Sequence, residues 1–143
     1  MLRERMEKEL GKESPGRFHV KFGRGGLVDV EFITQALQML HGRQHPAIRR
    51  PNTIQAVRAI KAAGLLSSDD SDGLEDNYRF LRRVSAGLRL FGARPSDTLE
   101  PAGPIPGRLA KSLEYPSRTE FLEVYRSRTA WVRALYDRVV VTT

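Results

Sequence analysis

Hydrophobic residues recur at helical spacing along most of the chain. Between residues 27 and 41 they cover a little over half of the helix circumference, and polar residues hold the other side. A second long helix is expected from about residue 68 to 91, and a third from about 118 to 140. A shorter one, with Asn52 or Thr53 as its N-cap, precedes them. The pattern predicts an all-α fold, an antiparallel helical bundle.

The beginning of the chain has a different pattern. Residues 1–16 are predicted to form an exposed lead-in helix and a linker, which leaves residues 17–143 as the bundle domain. Residues 18–22 alternate apolar and polar side chains, which predicts a short extended segment before a glycine-rich loop. This lone strand has nothing to pair with unless another chain or domain supplies a partner. Residues 92–106, which are rich in proline and glycine and show no period, are predicted to form a loop that wraps the bundle.

Composition excludes several classes of protein. Hydrophobic residues make up 40% and charged residues 29%, as in globular proteins that fold in water. No apolar run is long enough for a bilayer, and no signal-peptide pattern opens the chain. The chain has no cysteine, and its histidines lack zinc-motif spacing. We therefore expect a cytoplasmic protein with no membrane partner and no metal site in this chain.

The net charge of +7 is carried mostly by arginine, since only five of the 24 basic residues are lysines. Arginine binds planar oxyanions through two parallel hydrogen bonds and is common at interfaces, so an acidic partner is indicated. Four arginines share the outer side of the helix predicted for residues 68–91. These partner-binding candidates are Arg79, Arg82, Arg83 and Arg89. The alternative for these four arginines is a solvated helix face. The alternative for the net charge is that the chain is a fragment of a larger protein whose other domains balance it.

The most informative stretch runs from Lys21 to Gln38. Its three glycines allow positive φ and leave N–H groups uncovered, and the helix that follows adds the positive end of its dipole. Such a junction can hold an anion or a carboxylate. Asp29 falls in the middle of the apolar arc of that helix, where an acid needs a partner. Both a structural cap and a functional acid remain open for Asp29.

The string K-x-G-x-G-G-L-x-D-x-E-F-x-x-Q-x-L-Q resembles the opening of a known helical domain. This domain belongs to bacterial glutamine synthetase adenylyltransferase/adenylyl-removing enzymes, and PII uridylyltransferases share a looser form of the string. The similarity covers nearly all of residues 17–140. Its further landmarks are His45-Pro46, Asn52-Thr53, Gly64-Leu65-Leu66, Leu74 and Tyr78-Arg79-Phe80-Leu81-Arg82.

The resemblance implies that catalysis resides in a separate nucleotidyltransferase domain. That domain carries a Gly-Ser element and paired aspartates, which hold Mg²⁺ for transfer of AMP from ATP to a tyrosine of glutamine synthetase. The present chain has no Gly-Ser pair, and Asp69, Asp70 and Asp72 fall at a predicted helix start rather than after a strand. We therefore expect a helical domain, from the C-terminal half, with no catalytic residue of its own. ATP and Mg²⁺ are implied only for the full-length enzyme.

The resemblance also places the glycine-rich loop where two domains meet. The residues expected to face the nucleotide or the catalytic cleft are Lys21, Gly23, Arg24, Gly25 and Gly26, with Asp29 and Glu31 fixing the loop. The implied partners are the adjacent nucleotidyltransferase domain, glutamine synthetase and, as a further candidate, the PII signal protein. The alternative function is a basic helical module that binds nucleic acid or another acidic partner. Nucleic acid is disfavoured, because the chain shows neither helix-turn-helix spacing nor an aromatic stacking platform.

Ser85 and Ala86 depart from the family pattern. The family commonly has an acid followed by histidine or asparagine at this place, so a role built on that acid cannot be carried over. Gly87 follows directly. It costs the helix up to about 1 kcal/mol relative to alanine, and we expect the helix to bend there.

Overall fold

Six α-helices form the architecture in a computed structural model, which describes residues 2–11, 17–92 and 96–141. The prediction of a mainly α-helical fold is confirmed. The first helix, α1, ends in a π-helical turn, and so does the last, α6. The helices are α1 (Leu2–Met6, then the turn Glu7–Gly11), α2 (Leu27–His41), α3 (Thr53–Ala62), α4 (Ser68–Phe91), α5 (Ile105–Ser112) and α6 (Arg118–Tyr136, then the turn Asp137–Val141), with a 3₁₀ turn at Pro46–Ile48.

Local side-chain caps fix where three of the helices begin. Asn52, Ser67 and Ser117 each accept a hydrogen bond from the backbone N–H three residues later, at 3.0–3.1 Å. Each cap satisfies one of the donors that the first turn of a helix leaves without an intrahelical partner. The helix starts therefore follow from short sequence signals, and α3, α4 and α6 begin where those signals predict.

The helices pack around a single hydrophobic core. Helix α2 contacts α3, α4 and α6, and α4 contacts α3, α5 and α6 as well. Ile33, Leu81 and Val132 come from three different helices and are fully buried between them. Within the described ranges, no helix combines the length and the apolar character that crossing a bilayer demands. The core thus holds α2, and with it the glycine-rich loop at its N-terminus, against α6.

The extended segment before the loop does find a strand within the chain, which corrects the prediction. Strand β1 (Phe18–His19) pairs antiparallel with β2 (Thr98–Leu99). The backbone N–H of Val20 also donates to the carbonyl of Asp97 at 2.7 Å. Strand β2 has only two residues, too few to show an alternating pattern, and it lies in a segment rich in proline and glycine. It was therefore missed in the sequence analysis. This pairing ties the entrance of the loop to the bundle.

Helix α1 is confirmed as a helix and most of its residues are exposed, but two of them are buried against the bundle. The side chain of Arg3 is fully buried, and Gly11 is buried where the π-helical turn ends. A Cβ at Gly11 would lie 3.1 Å from the carbonyl oxygen of Phe22, so the turn packs directly on the glycine-rich loop. Residues 12–16, most of the predicted linker, lie outside the described residues.

Candidate functional site at the glycine-rich loop

The glycine-rich loop, residues 20–26, is held by hydrogen bonds within its own chain. Gly23 donates its N–H to the carbonyl of His19 at 2.8 Å, and Gly26 donates to the carbonyl of Gly23 at 3.0 Å. The first helical amide, of Leu27, returns to the carbonyl of Val20 at 2.9 Å. The loop is therefore a closed turn that leads into α2.

Gly25 could not be replaced by another residue without strain. Its φ is +72°, a left-handed conformation that favours glycine. A Cβ there would lie 1.9 Å from the carbonyl oxygen of Thr129, so α6 packs directly against the loop backbone. The Gly25 N–H donates to Oδ2 of Asp29 at 2.6 Å. The glycine thus serves both the turn and the contact with α6.

These contacts require a correction at three of the predicted cleft-facing positions. Gly23, Gly25 and Gly26 are buried, and the backbone N–H of each donates to an acceptor within this chain. Backbone carbonyls and the Asp29 carboxylate accept these N–H groups, which were expected from the sequence to bind a ligand. On the loop itself, Lys21 and Arg24 remain as exposed cationic side chains.

Asp29 is the centre of a buried charged cluster. Its side chain is fully buried and accepts hydrogen bonds from Nε of Arg3 at 2.6 Å and from Nη1 of Arg133 at 3.0 Å. Nη1 of Arg133 also forms an ion pair with Glu7 at 2.9 Å. A buried carboxylate is tolerated when ion pairs and hydrogen bonds replace its water. Arg3, Glu7, Asp29 and Arg133 are called the Asp29 cluster below, and its geometry favours the structural interpretation of Asp29.

Arg3 also fixes the loop backbone. Its Nη2 donates to the carbonyl oxygens of Phe22 and Gly23, both at 2.9 Å. Sequence reasoning missed Arg3 and Arg133, which lie 26 and 104 positions from Asp29. In the sequence both are ordinary helical arginines, and no local pattern marks them as buried. The only signal was the position of Asp29 on the apolar face of its helix, which predicted that a positively charged group lies beside it.

Tyr136 closes one side of the Asp29 cluster. The guanidinium carbon of Arg133 lies 4.6 Å from the centre of the Tyr136 ring, a cation–π contact. The hydroxyl of Tyr136 is buried and has no hydrogen-bond partner among the described residues. Burial raises the pKa of the Tyr136 phenol above its ordinary value, and the negative charge of Asp29 adds to the rise.

Glu31 does not hold the loop in the way that Asp29 does. It is half-buried, and within the described ranges it forms no hydrogen bond or ion pair with the loop. Burial raises the pKa of the Glu31 carboxyl, and the nearby charge of Lys21 opposes that rise. His19 contributes to the loop instead, because its Nδ1 accepts the N–H of Phe22 at 3.0 Å. Burial lowers the pKa of His19, which favours the neutral form of its ring.

A cavity of about 220 Å³ lies between the loop and α6. Its lining, which includes three guanidinium groups, consists of Phe18, Arg24, Arg126, Thr129, Ala130 and Arg133. The guanidinium of Arg126 lies over the Phe18 ring at 5.5 Å. We call this space the loop cavity.

The arginine stripe of α4 is divided in the structure. Arg79, Arg82 and Arg83 line a groove of about 340 Å³ with Ile54 of α3, whereas Arg89 pairs with Asp97 at 2.9 Å. Among the described residues, no acidic side chain pairs with Arg82 or Arg83. The structure thus brings three of the four partner-binding candidates together and separates the fourth.

Comparison with known proteins places these features in a family. The profile of the GlnD PII-uridylyltransferase family matches residues 1–140. The chain belongs to this family. It is 36% identical over 139 residues to the bifunctional glutamine synthetase adenylyltransferase/adenylyl-removing enzyme of Streptomyces avermitilis, covering 95% of this chain and 14% of that protein.

Proteins of the same description in other bacteria are similar as well. The one from Leifsonia xyli is 34% identical over 124 residues, which is 84% of this chain and 12% of that protein. The one from Mycobacterium avium is 33% identical over 123 residues, which is 85% of this chain and 12% of that protein. The chain thus spans only 12–14% of the length of these relatives.

Ser85, which departs from the expected family pattern, contacts a buried carboxylate. The Ser85 hydroxyl donates to Oδ1 of Asp97 at 2.5 Å, and Arg89 pairs with the other carboxylate oxygen. Asp97 is buried and directly precedes β2. A carboxylate therefore lies beside residue 85, and it comes from the segment between α4 and β2.

Proposed function

We propose that this chain is a non-catalytic helical domain of a glutamine synthetase adenylyltransferase. In this proposal it packs on a nucleotidyltransferase domain and supports transfer of AMP from ATP to glutamine synthetase. The family of the chain and the names of its relatives support the reaction class. The single observation that carries the proposed role is the Asp29 cluster, because it makes the glycine-rich loop a firm base for exposed cations.

The loop offers side chains rather than backbone amides to a neighbour. The amides of Gly23, Gly25 and Gly26 donate within this chain, while Lys21 and Arg24 extend from a backbone that Arg3 and Asp29 hold in place. Cations whose support is already ordered need little reorganisation when they meet a developing negative charge. Lys21 and Arg24 are thus suited to a phosphate-bearing cleft. ATP and Mg²⁺ would be held by the neighbouring catalytic domain, and this chain would add positive charge at its edge.

The test uses the full-length enzyme that contains this chain. The variant Lys21→Ala, alone and with Arg24→Ala, is compared with Arg43→Ala, an exposed arginine beyond the far end of the 15-residue α2. We expect kcat/KM for adenylylation to fall about tenfold in Lys21→Ala and about a hundredfold or more in the double variant, since each charge-assisted contact is worth about 1.5–3 kcal/mol. Arg43→Ala should stay within about twofold. An unchanged rate and ATP affinity in the double variant would refute the proposed role.

A second candidate function is binding of an acidic partner, and the groove between α3 and α4 favours it. The groove presents Arg82 and Arg83 without a paired acid among the described residues. Titration with duplex DNA and duplex RNA at increasing salt tests the nucleic-acid version, because phosphate-backbone binding weakens steeply as salt rises. Absence of binding at low salt would remove nucleic acid and leave an acidic protein surface as the partner class.

A further inference from the structure

We propose that the loop cavity is an oxyanion site that takes the phosphate group of a small ligand. Three of its six lining residues are arginines, and none of the six is acidic. Guanidinium groups match the geometry of phosphate oxygens through paired N–H donors. A concave site that gathers three such groups from two segments of the chain favours an anion over a neutral or cationic ligand.

The arginines come from elements whose positions are fixed independently. Arg24 belongs to the closed loop, whereas Arg126 and Arg133 lie two turns apart on α6. The close approach of Gly25 to the carbonyl of Thr129 sets the distance between the loop and the helix. The cavity is therefore a consequence of the same packing that requires glycine at position 25.

Two of the guanidinium groups are oriented by contacts with other side chains. Arg126 lies over the Phe18 ring, and β1 holds that ring in place through its pairing with β2. Arg133 is held by Asp29 and Glu7 through Nη1. Its Nε is buried and has no hydrogen-bond partner among the described residues, and Oδ1 of Asp137 lies 3.7 Å from it. Donors ordered in advance reduce the entropy that a bound anion would otherwise cost.

The positive charge that no acid balances at the cavity belongs to Arg126. Arg3 and Arg133 meet Glu7 and Asp29 in the Asp29 cluster, and Asp137 also lies 3.7 Å from Nε of Arg133. Arg126 forms no ion pair with any described residue, and its side chain is exposed where it lines the cavity. An incoming anion would therefore meet cationic charge that the fold has not already neutralised.

The size of the cavity restricts the ligand. At about 220 Å³ it is smaller than the roughly 300–1,000 Å³ of pockets that enclose drug-sized ligands. It suits a phosphate or pyrophosphate group, either free or as the charged end of a nucleotide whose base lies outside. The choice of phosphate among oxyanions rests on the proposed function, because ATP and both products of AMP transfer carry phosphate groups.

The experiment measures binding to the 143-residue chain by isothermal titration calorimetry at low, matched ionic strength. The probes are inorganic phosphate, pyrophosphate, AMP and, as the uncharged comparison, adenosine. The variants are Arg126→Gln and Arg24→Gln, both exposed, with Arg43→Gln as a control that removes the same charge beyond the far end of α2. Circular dichroism checks that each variant keeps its helices.

We expect pyrophosphate to bind, adenosine to show no binding, and each cavity variant to weaken pyrophosphate binding about tenfold. Arg43→Gln should change it by less than about threefold. AMP binding as tightly as pyrophosphate would indicate a nucleotide-borne phosphate, and binding of the free anions alone would indicate a free one. No binding of either anion at millimolar concentration would overturn the proposal, and so would equal losses in all three variants.

The phosphate-binding experiment and the adenylylation experiment can fail independently. If Lys21→Ala slows adenylylation in the full-length enzyme but the chain binds no phosphate compound, the oxyanion site is wrong and the proposed role stands. If Arg126→Gln abolishes pyrophosphate binding while the Lys21 and Arg24 variants leave adenylylation unchanged, the site stands and the proposed role is wrong.

Discussion

Arg3 and Asp29 form an ion pair with both side chains fully buried and 2.6 Å between Nε and Oδ1. The pair joins a helix at the beginning of the chain to the first turn of α2, across 26 positions of sequence. Because Arg3 also donates to two loop carbonyls, the conformation of the glycine-rich loop depends on α1 being in place. Helix α1 is thus part of the candidate site and does more than connect the bundle to the preceding chain.

Removing Arg3 should therefore destabilise the fold strongly. Arg3→Ala would leave Asp29 with one of its two cations and would remove three hydrogen bonds. Breaking one partner of a buried ion pair costs about 3–5 kcal/mol, and we expect the lower end because Arg133 remains. Urea unfolding measures the change. Arg5→Ala on the exposed side of α1 is the control and should stay within about 0.5 kcal/mol; equal midpoints for the two variants would contradict this account.

Gly25 and Gly64 can be compared to test whether close packing requires glycine at position 25 of the loop. Their φ values are +72° and +73°, so alanine suffers similar backbone strain at both. A Cβ would lie 1.9 Å from a backbone oxygen at Gly25 and would meet no atom within 4 Å at Gly64. We expect Gly64→Ala to cost about 1–2 kcal/mol and Gly25→Ala at least about 2 kcal/mol more. Thermal and urea unfolding test this difference, and similar costs would show that α6 can move away from the loop.

The sequence predicted those parts of the fold that depend on neighbouring residues. Asn52, Ser67 and Ser117 cap helices locally, so the starts of α3, α4 and α6 could be read from a few letters. The acid at position 29 showed that a buried charge needed partners. The identity of those partners depends on how distant segments pack, and no periodicity encodes that. The same holds for β2, which is recognisable as a strand only beside β1.

The glycines at positions 23, 25 and 26 show a second limit of sequence reasoning. A glycine-rich turn at a helix N-terminus can expose its backbone amides to a ligand. The sequence does not show whether acceptors within the same chain bind those amides instead. Here the loop carbonyls and Asp29 do, while α6 covers Gly25. The cationic side chains around the loop were partly predicted, through Arg24. Arg126 and Arg133 join them only through tertiary packing.

Tyr136 offers a test in which a substitution should not harm the protein. Its hydroxyl is buried without a hydrogen-bond partner among the described residues, so Tyr136→Phe removes a group that is costly to bury. We expect the free energy of unfolding at pH 7 to be unchanged or to rise by up to about 1 kcal/mol. Tyr78→Phe, at a half-buried phenol, is the matched control. A loss of more than about 1 kcal/mol in Tyr136→Phe would show that the hydroxyl is hydrogen-bonded in solution.

The same variant should alter stability in alkaline solution. Burial raises the pKa of Tyr136, so the folded state holds the phenolic proton more tightly than the unfolded chain does. The stabilising contribution of this phenol is present below its unfolded pKa of about 10 and is lost as pH rises towards the folded pKa. Urea midpoints above pH 9 should therefore fall less steeply in Tyr136→Phe than in the parent chain. Parallel curves would contradict the raised pKa.

Glu75 should make stability depend on pH in the acidic range. The hydrogen bond from Arg58 lowers the pKa of the Glu75 carboxyl, burial opposes this, and Arg79 adds to the lowering. A lowered folded pKa stabilises the fold above the unfolded pKa, and this contribution is lost as pH falls through the folded pKa. The difference in urea midpoint between the parent chain and Glu75→Gln should thus be constant from neutral pH to about pH 5 and shrink towards pH 3. Glu123→Gln, at an exposed acid, is the control, and a difference that grew on acidification would have the wrong sign.

Ser85 and Asp97 can be tested as alternative positions for one carboxylate. Ser85→Glu would place a second negative charge beside Asp97, whose Oδ1 now lies 2.5 Å from the Ser85 hydroxyl. Like charges at this distance disfavour each other, so we expect a loss of about 1–3 kcal/mol in the free energy of unfolding.

Asp97→Asn should relieve that repulsion, because the acid at position 85 could then pair with Arg89 in its place. The double variant should recover at least half of the loss, and Asp97→Asn alone completes a double-mutant cycle measured by urea unfolding. A favourable coupling energy of about 1 kcal/mol or more would show that positions 85 and 97 share one electrostatic site. Strict additivity would show that they do not.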